Sequence, residues 1–227
     1  MTRDAAGRLP SAVNRQKWRR RSATVAIIGV VLYALVDVVL QFLPPHYSPI
    51  SDAESNLAVG PFGWVMNLNF LGRAVLCVAA VVALALTQRP RPLRPDRLLG
   101  TGLVLFLLGG ASSAILAFFA TDVNASHSST LQTQSTTGVV HLVVASCGFI
   151  VTLLAISLLT LWLHRRLVLL RVLPWAIAFT ALTLVGLLLV VASSLWAPGI
   201  IGLAERMALV GILGWTLAVS AGIRNVD

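Results

Sequence analysis

Six long apolar segments alternate with short polar segments along the 227 residues of this chain. They cover about residues 23–43, 62–87, 98–120, 137–162, 172–195 and 203–223. A helix needs about 20 apolar residues to cross the roughly 30 Å hydrocarbon core of a bilayer. The pattern therefore predicts an all-α fold, an integral membrane bundle of six transmembrane helices. Because the loops between them are short, consecutive helices should pack as antiparallel neighbours.

Composition supports this division of the chain and leaves no room for a separate soluble domain. The sequence is 57% hydrophobic and only 11% charged, which excludes an ordinary soluble domain. We divide it into a basic N-terminal tail (1–22), a six-helix transmembrane domain (23–223) and a short C-terminus (224–227). The first apolar segment is too long for the core of a signal peptide, so it is expected to be an uncleaved anchor.

Positive charges are confined to alternate connections. Lys and Arg occur in the N-terminal segment, in the second and fourth loops and at the C-terminus, but the first, third and fifth loops have none. Because cytoplasmic loops carry the excess of Lys and Arg, both termini are predicted to be cytoplasmic, in a plasma or inner cell membrane. The formal net charge of +9 then predicts attraction to anionic inner-leaflet headgroups and no nucleic-acid partner.

Polar residues inside the predicted helices cluster in the outer half of the bundle. Such groups are costly in a bilayer and face protein or water, so each is a candidate functional residue. Residues four apart share a helix face, and this spacing relates Tyr33 to Asp37 and Asn69 to Arg73. We expect one outward-facing polar pocket that binds a ligand through Asp37, Asn69, Arg73, Asp122, His141, Glu205 and Arg206.

The first loop, HYSPISDAESNLAVGPFGW from His46 to Trp64, has two carboxylates and no Lys or Arg. We interpret it as the acidic mouth of the pocket, a segment that must also cross the membrane. The residues expected to act as the lid are His46, Ser51, Asp52 and Glu54. An alternative is a capping box, in which Ser51 is the N-cap of a helix and Glu54 its N3 residue.

Two pairings of buried charges are expected. Arg73 lies near the membrane midplane and needs a partner, and Asp37 is the candidate, either for a structural ion pair or for a shared ligand site. Glu205 and Arg206 are adjacent and point about 100° apart on a helix. One of the two is therefore expected to face the pocket and the other the headgroups.

Several of these residues belong to motifs that resemble a known family. In the first loop the motifs are His46-Tyr47-Ser48-Pro49-Ile50-Ser51, Ser55, Gly60-Pro61, Trp64 and Met66-Asn67. Later ones are Phe119-x-Thr121-Asp122, Gly138-x-x-His141 and Gly202-Leu203-x-Glu205-Arg206. Together they resemble the family catalogued as domain of unknown function 998, across all six helices. The resemblance implies a six-helix membrane fold and no established activity.

Three hypotheses about function remain open. The pocket could bind or move a lipid headgroup or a small polar ligand, with Arg73 and Arg206 holding an anionic group. The chain could instead be a non-catalytic membrane partner protein, whose polar cluster only holds the bundle together. It could also be a metal-dependent intramembrane lipid hydrolase with Asp122, His141 and Glu205 as ligands. We expect no cofactor, and the expected partners are membrane lipids and a second copy of the chain.

Overall fold

The computed structural model describes residues 12–88, 96–123 and 133–225. Within these ranges lie six α-helices and no strand. The helices are α1 (Ala12–Leu40), α2 (Gly63–Ala85), α3 (Arg97–Leu116), α4 (Thr136–Arg166), α5 (Leu173–Trp196) and α6 (Ile201–Arg224). Each is long and apolar enough to cross a membrane. The predicted all-α bundle of six transmembrane helices is therefore confirmed.

Helix ends differ from the sequence boundaries at several points. Helix α1 begins at Ala12 and runs without a break through residue 22, because no Gly or Pro interrupts residues 12–22. Arg15 lies in this extension, and its Nε donates to the Leu86 carbonyl (3.2 Å) just beyond the end of α2. The remainder of the predicted tail (1–11) and residues 226–227 of the C-terminus lie outside the described residues, so the three-part division stays a prediction.

The helices form a closed ring in chain order. Each helix packs against the next, and α1 packs against α6 to close the ring. The connection 41–62, the described parts of the third loop (117–123 and 133–135) and residues 197–200 lie at one end of the bundle, which we call the first-loop end. The N-terminus of α1 and the C-terminus of α6 lie at the other, the termini end. Helices α2 and α6 are the most buried of the six, and α2 carries the buried Arg73.

Aromatic and small residues pack the half of the bundle nearer the termini. Trp215 of α6 is fully buried, its ring centroid is 5.7 Å from that of Phe106, and its Nε1 donates to Thr160 Oγ1 (2.8 Å). Gly211 lets α5 and α6 approach closely, since a Cβ there would lie 2.2 Å from Thr183 Oγ1. The bundle is therefore closely packed around Trp215 and Gly211.

Candidate functional site

The first loop lies directly on the start of α6. The backbone N–H of Leu203 donates to the Ile50 carbonyl (3.0 Å), which satisfies one of the amide groups that a helix leaves free at its N-terminus. A Cβ on Gly202 would lie 2.2 Å from the Asp52 carbonyl oxygen. A glycine at 202 is therefore what allows the loop to touch the helix.

Arg206 of α6 holds the first loop by several hydrogen bonds. Its Nη1 donates to the carbonyls of Pro49 (3.1 Å) and Asp52 (3.3 Å), and its Nη2 donates to the Tyr47 hydroxyl. The guanidinium carbon also lies 5.2 Å from the centroid of the Tyr47 ring, a cation–π contact. Arg206 therefore faces the loop. Our expectation that one residue of the Glu205–Arg206 pair would face the headgroups is wrong, because Glu205 also contacts the loop.

Glu54 is the most buried acidic residue of this loop, with 4% of its surface exposed. Its Oε1 accepts from the Tyr33 hydroxyl (2.9 Å), and its backbone N–H donates to Glu205 Oε2 (2.8 Å). Burial, and after it the nearby carboxylates of Asp37 and Glu205, raise the pKa of Glu54 to about 8. The carboxyl group is therefore held largely protonated at neutral pH.

The capping-box alternative for the first loop is wrong. A short 3-10 helix, Glu54–Ala58, does form, but its N-cap is Ala53, and no side chain caps it. The loop folds so that Glu54 turns inward to Tyr33 rather than back to its own backbone. Asp52 instead accepts from the Ser48 amide (2.8 Å) and so closes the turn before the 3-10 helix.

The expected pair of Asp37 and Arg73 does not form. Asp37 Oδ1 lies 3.7 Å from Arg206 Nη2, and Asp37 Oδ2 accepts from Gln41 Nε2 (2.8 Å). Asp37 is three residues from the end of α1, whereas Arg73 is ten residues into α2, a depth difference of about 10 Å at 1.5 Å per residue. Arg206, near the start of α6, is at the right depth.

Arg73 and Asn69 form part of the wall between α1, α2 and α4. The Arg73 guanidinium carbon is 6.0 Å from the centroid of the Phe149 ring, and Asn69 donates to the Tyr33 carbonyl (3.1 Å). Arg73 is buried, and within the described residues its Nε has no hydrogen-bond partner. The Glu205 carboxyl group lies close enough to interact electrostatically with this guanidinium.

Asp122, six residues after the end of α3, holds the two residues that precede α4. Its Oδ2 accepts from the amides of Gln134 (2.7 Å) and Ser135 (2.9 Å), and its Oδ1 accepts from the Ser135 hydroxyl (2.7 Å). These hydrogen bonds, that of the Ser135 side chain foremost, lower the pKa of Asp122. A Cβ on Gly138 would lie 2.0 Å from Asp122 Oδ2, so glycine makes room for this carboxylate.

His141 lies one turn beyond Thr137 on α4 and is 4% exposed. Its Nδ1 is 2.6 Å from the Phe119 carbonyl oxygen, in the turn that follows α3. A carbonyl oxygen can only accept, so the contact requires a proton on Nδ1. In the neutral ring Nε2 is then left as a hydrogen-bond acceptor.

A cavity of about 480 Å³ lies beneath the first loop, between α4 and α5. Its deep wall is apolar and includes Leu142, Ala145, Phe149, Leu187 and Val190. Its polar rim contains six of the residues predicted for the pocket and the lid, namely His46, Ser51, Asp52, Asp122, His141 and Glu205. The other five do not line it and form the network beside it: Asp37, Glu54, Asn69, Arg73 and Arg206.

The cavity reaches the outer surface of the bundle between two helices. Ile150 of α4 and Val191 of α5 both line it, and they are 56% and 59% exposed. Nearer the termini, α4 and α5 meet through the hydroxyls of Thr160 and Thr180 (3.2 Å). The gap between the two helices is therefore confined to the first-loop half, where it opens toward the surface that lipid would cover.

The ligand set expected for a metal is not formed. Asp122, His141 and Glu205 all line the cavity, but no three His, Cys, Asp or Glu residues of the described ranges lie close enough to hold an ion. Asp122 is tied to Ser135, His141 to Phe119 and Glu205 to the Glu54 amide. The metal-dependent hydrolase is therefore not supported by this geometry.

Sequence reasoning missed two parts of the site. Tyr47 was noted only within a motif, yet its hydroxyl accepts from Arg206 and donates to the Asp52 carbonyl (2.9 Å). Its position within the acidic first loop is the available signal. The apolar wall of Ala145, Leu187 and Val190 gave no signal, because in the sequence such residues look like any lipid-facing positions.

Comparison with known families matches residues 27–222 to the model described as protein of unknown function (DUF998). This range includes α2 to α5, about half of α1, most of α6, and every residue of the site described above. No curated protein and no solved structure matches the chain.

Proposed function

This multi-pass membrane protein belongs to the DUF998 family of proteins of unknown function, and since that description names no activity, we propose from the geometry that the cavity binds a membrane amphiphile. The polar headgroup would lie beneath the first loop, beside His141 and Glu205. The hydrocarbon chain would lie between α4 and α5. Movement of such a molecule between protein and bilayer would use the same opening.

The observation that carries the proposal is the amphipathic lining of the cavity. Ligand sites are typically concave, mostly apolar and about 300–1,000 Å³, with a few polar groups that fix orientation. Here the acidic and histidine side chains are gathered at the first-loop end, and the part of the lining that α4 and α5 provide beyond His141 is apolar except for Ser146. The exposed side chains of Ile150 and Val191 at the opening offer a path from the bilayer. A water-soluble ligand would need neither the apolar wall nor this opening.

The two arginines first considered as ligands have no part in this proposal. Arg206 is held by the loop carbonyls and Tyr47, and Arg73 packs on Phe149, whose ring lines the cavity. Their role is to fix the first loop and the wall. A polar molecule held by these arginines is therefore not proposed.

A photoreactive lipid tests the proposal. A phospholipid with a diazirine near the middle of its acyl chain should label α4 and α5 at cavity residues when the protein is irradiated in nanodiscs. Ala145→Phe should reduce this labelling at least fivefold, since a buried ring would occupy space that the chain needs. Val143→Phe is the matched control, because Val143 lies on the same helix, is 54% exposed and does not line the cavity. Equal labelling of the two variants at the cavity residues would contradict the proposal.

A second candidate function is that of a non-catalytic membrane partner protein. It is favoured by the network of Asp37, Glu54, Glu205 and Arg206, whose members mostly satisfy one another within the chain. A cluster of this kind could serve only to hold the first loop in place for contact with another protein. Unchanged labelling in Ala145→Phe would leave this candidate as the better one.

The orientation of the bundle belongs to the same proposal. Lys17, Arg97, Arg165 and Arg224 lie at the termini end, so that end would face the cytoplasm of a plasma or inner membrane and contact anionic headgroups. In a Cys147→Ser background, Ile50→Cys should react with a membrane-impermeant maleimide in intact cells, and Arg165→Cys should not. Both native residues are exposed, so access is matched. Labelling of Arg165→Cys without labelling of Ile50→Cys would reverse the orientation.

A further inference from the structure

We propose that the headgroup taken by this cavity is cationic, an ammonium group carried by an amphiphile; the inference rests on the proposed function and deepens it. Three carboxylates line the cavity, those of Asp52, Asp122 and Glu205. Among the described lining residues there is no Lys or Arg. The rim thus offers negative charge and no guanidinium or ammonium group of its own.

The net charge around the cavity stays negative when the charged residues behind its lining are included. Arg73 and Arg206 add two positive charges close to the cavity, and Asp37 adds one negative charge beside Arg206. Four carboxylates then stand against two guanidinium groups. Glu54 makes the site more negative if it is ionised and changes nothing if it is protonated. In a site walled by low-dielectric material this excess favours a cation over an anion of the same shape.

Two hydrogen-bond acceptors of the cavity also favour an ammonium group. Glu205 Oε2 accepts from the Glu54 amide, but no described residue donates to Oε1. His141 gives its Nδ1 proton to the Phe119 carbonyl, so in the neutral ring its Nε2 can only accept. Glu205 and His141 therefore present acceptors without donors. An ammonium group has three donors and no acceptor, so it can pair with both of these acceptors, whereas the acceptor oxygens of a phosphate or sulfate group cannot.

The experiment compares three amphiphiles with the same chain. Octadecylamine, octadecanol and octadecyl sulfate are each used to displace a fluorescent fatty alcohol from the full chain in phosphatidylcholine nanodiscs at pH 7. We expect the amine to bind about tenfold more tightly than the alcohol, the effect of one charge-assisted hydrogen bond, and the sulfate to bind more weakly than both. Ethanolamine, which has the ammonium group without the chain, should not displace the probe at comparable concentrations.

Variants test whether the carboxylates of the cavity cause the preference for the ammonium group. Glu205→Gln keeps an acceptor for the Glu54 amide but removes the charge, so it should abolish most of the tenfold advantage of the amine over the alcohol. Asp52→Asn, which should reduce the advantage less, gives a second measurement if Glu205→Gln folds poorly. Asp96→Asn is the control, because Asp96 is a carboxylate at the termini end, paired with Arg166 (2.8 Å). It should behave as the unmodified protein does.

The outcomes separate this inference from the proposed function. Equal binding of amine and alcohol, or tighter binding of the sulfate, would overturn the cationic headgroup; if Ala145→Phe still removed binding, the amphiphile site would stand. If Ala145→Phe changed the affinity for none of the three, the amphiphile site itself would fall. Displacement by ethanolamine as strong as that by octadecylamine would keep the ammonium preference and overturn the need for a chain.

Discussion

Replacing Arg206 with leucine is expected to lower the free energy of unfolding by about 3–5 kcal/mol, the range for removing one partner of a buried ion pair. The change would leave the Asp37 carboxylate without its cation, 3.7 Å away, and would remove donors from the Pro49 and Asp52 carbonyls. Both side chains of the pair are about 15% exposed, so water can replace few of the lost interactions. Denaturant unfolding of the purified protein in mild detergent measures the loss.

A double-mutant cycle identifies the partner. Asp37→Asn combined with Arg206→Leu should be less destabilising than the sum of the two single changes, because the uncompensated carboxylate is gone. The matched cycle of Asp37→Asn with Arg73→Leu should be additive, since Arg73 is about 10 Å deeper in the bundle. Coupling of Asp37 to Arg73 and not to Arg206 would show that the charged network is assembled differently.

Glu54→Gln is expected to remove a large part of the pH dependence of stability between pH 5 and pH 8. The pKa of Glu54 is raised from 4.5 to about 8 by burial, so the folded state holds a proton that the unfolded state releases. Its contribution is fully present below about pH 4.5 and is lost as the pH rises through about 8. The stability of the unmodified protein should therefore fall relative to that of Glu54→Gln by up to about 1.4 kcal/mol per pH unit in this window.

The control for this measurement is a carboxylate with the opposite shift. The pKa of Asp122 is lowered by the Ser135 hydrogen bonds, so its contribution is present above its ordinary value and is lost only in more acidic solution. Asp122→Asn should thus change stability by the same amount at pH 5 and at pH 8. Thermal unfolding at half-unit pH steps gives the comparison. Parallel curves for Glu54→Gln and the unmodified protein would show that Glu54 is ionised throughout.

The number of helices and the depth of each polar residue could be predicted, because both depend only on the sequence of one segment at a time. Runs of about 20 apolar residues set the six spans, and the rise of 1.5 Å per residue places each polar group along its helix. His141 and Glu205 could thus be assigned to the same half of the membrane, and both line the cavity. The same reasoning placed Asp37 close to the loop end of α1, where it lies.

Partners could not be predicted, because they depend on the order of helices around the ring and on the path of the first loop. Asp37 meets Arg206 since α1 packs against α6, a contact between the two ends of the sequence. Glu54 is buried against Tyr33 because the loop is fastened to α6 by Arg206, which no local motif encodes. The apolar wall around Ala145 is invisible for a different reason: lipid and an internal cavity select the same side chains.

The central claim, that the amphipathic cavity holds an amphiphile, is tested most directly by an experimental structure of the full chain in lipid nanodiscs. We predict elongated density between α4 and α5, with one end beside His141 and Glu205 and the other against Leu187 and Val190, and its loss in Ala145→Phe. Side chains of α4 and α5 packed against each other across this space, with the first loop still bound to α6, would contradict the account.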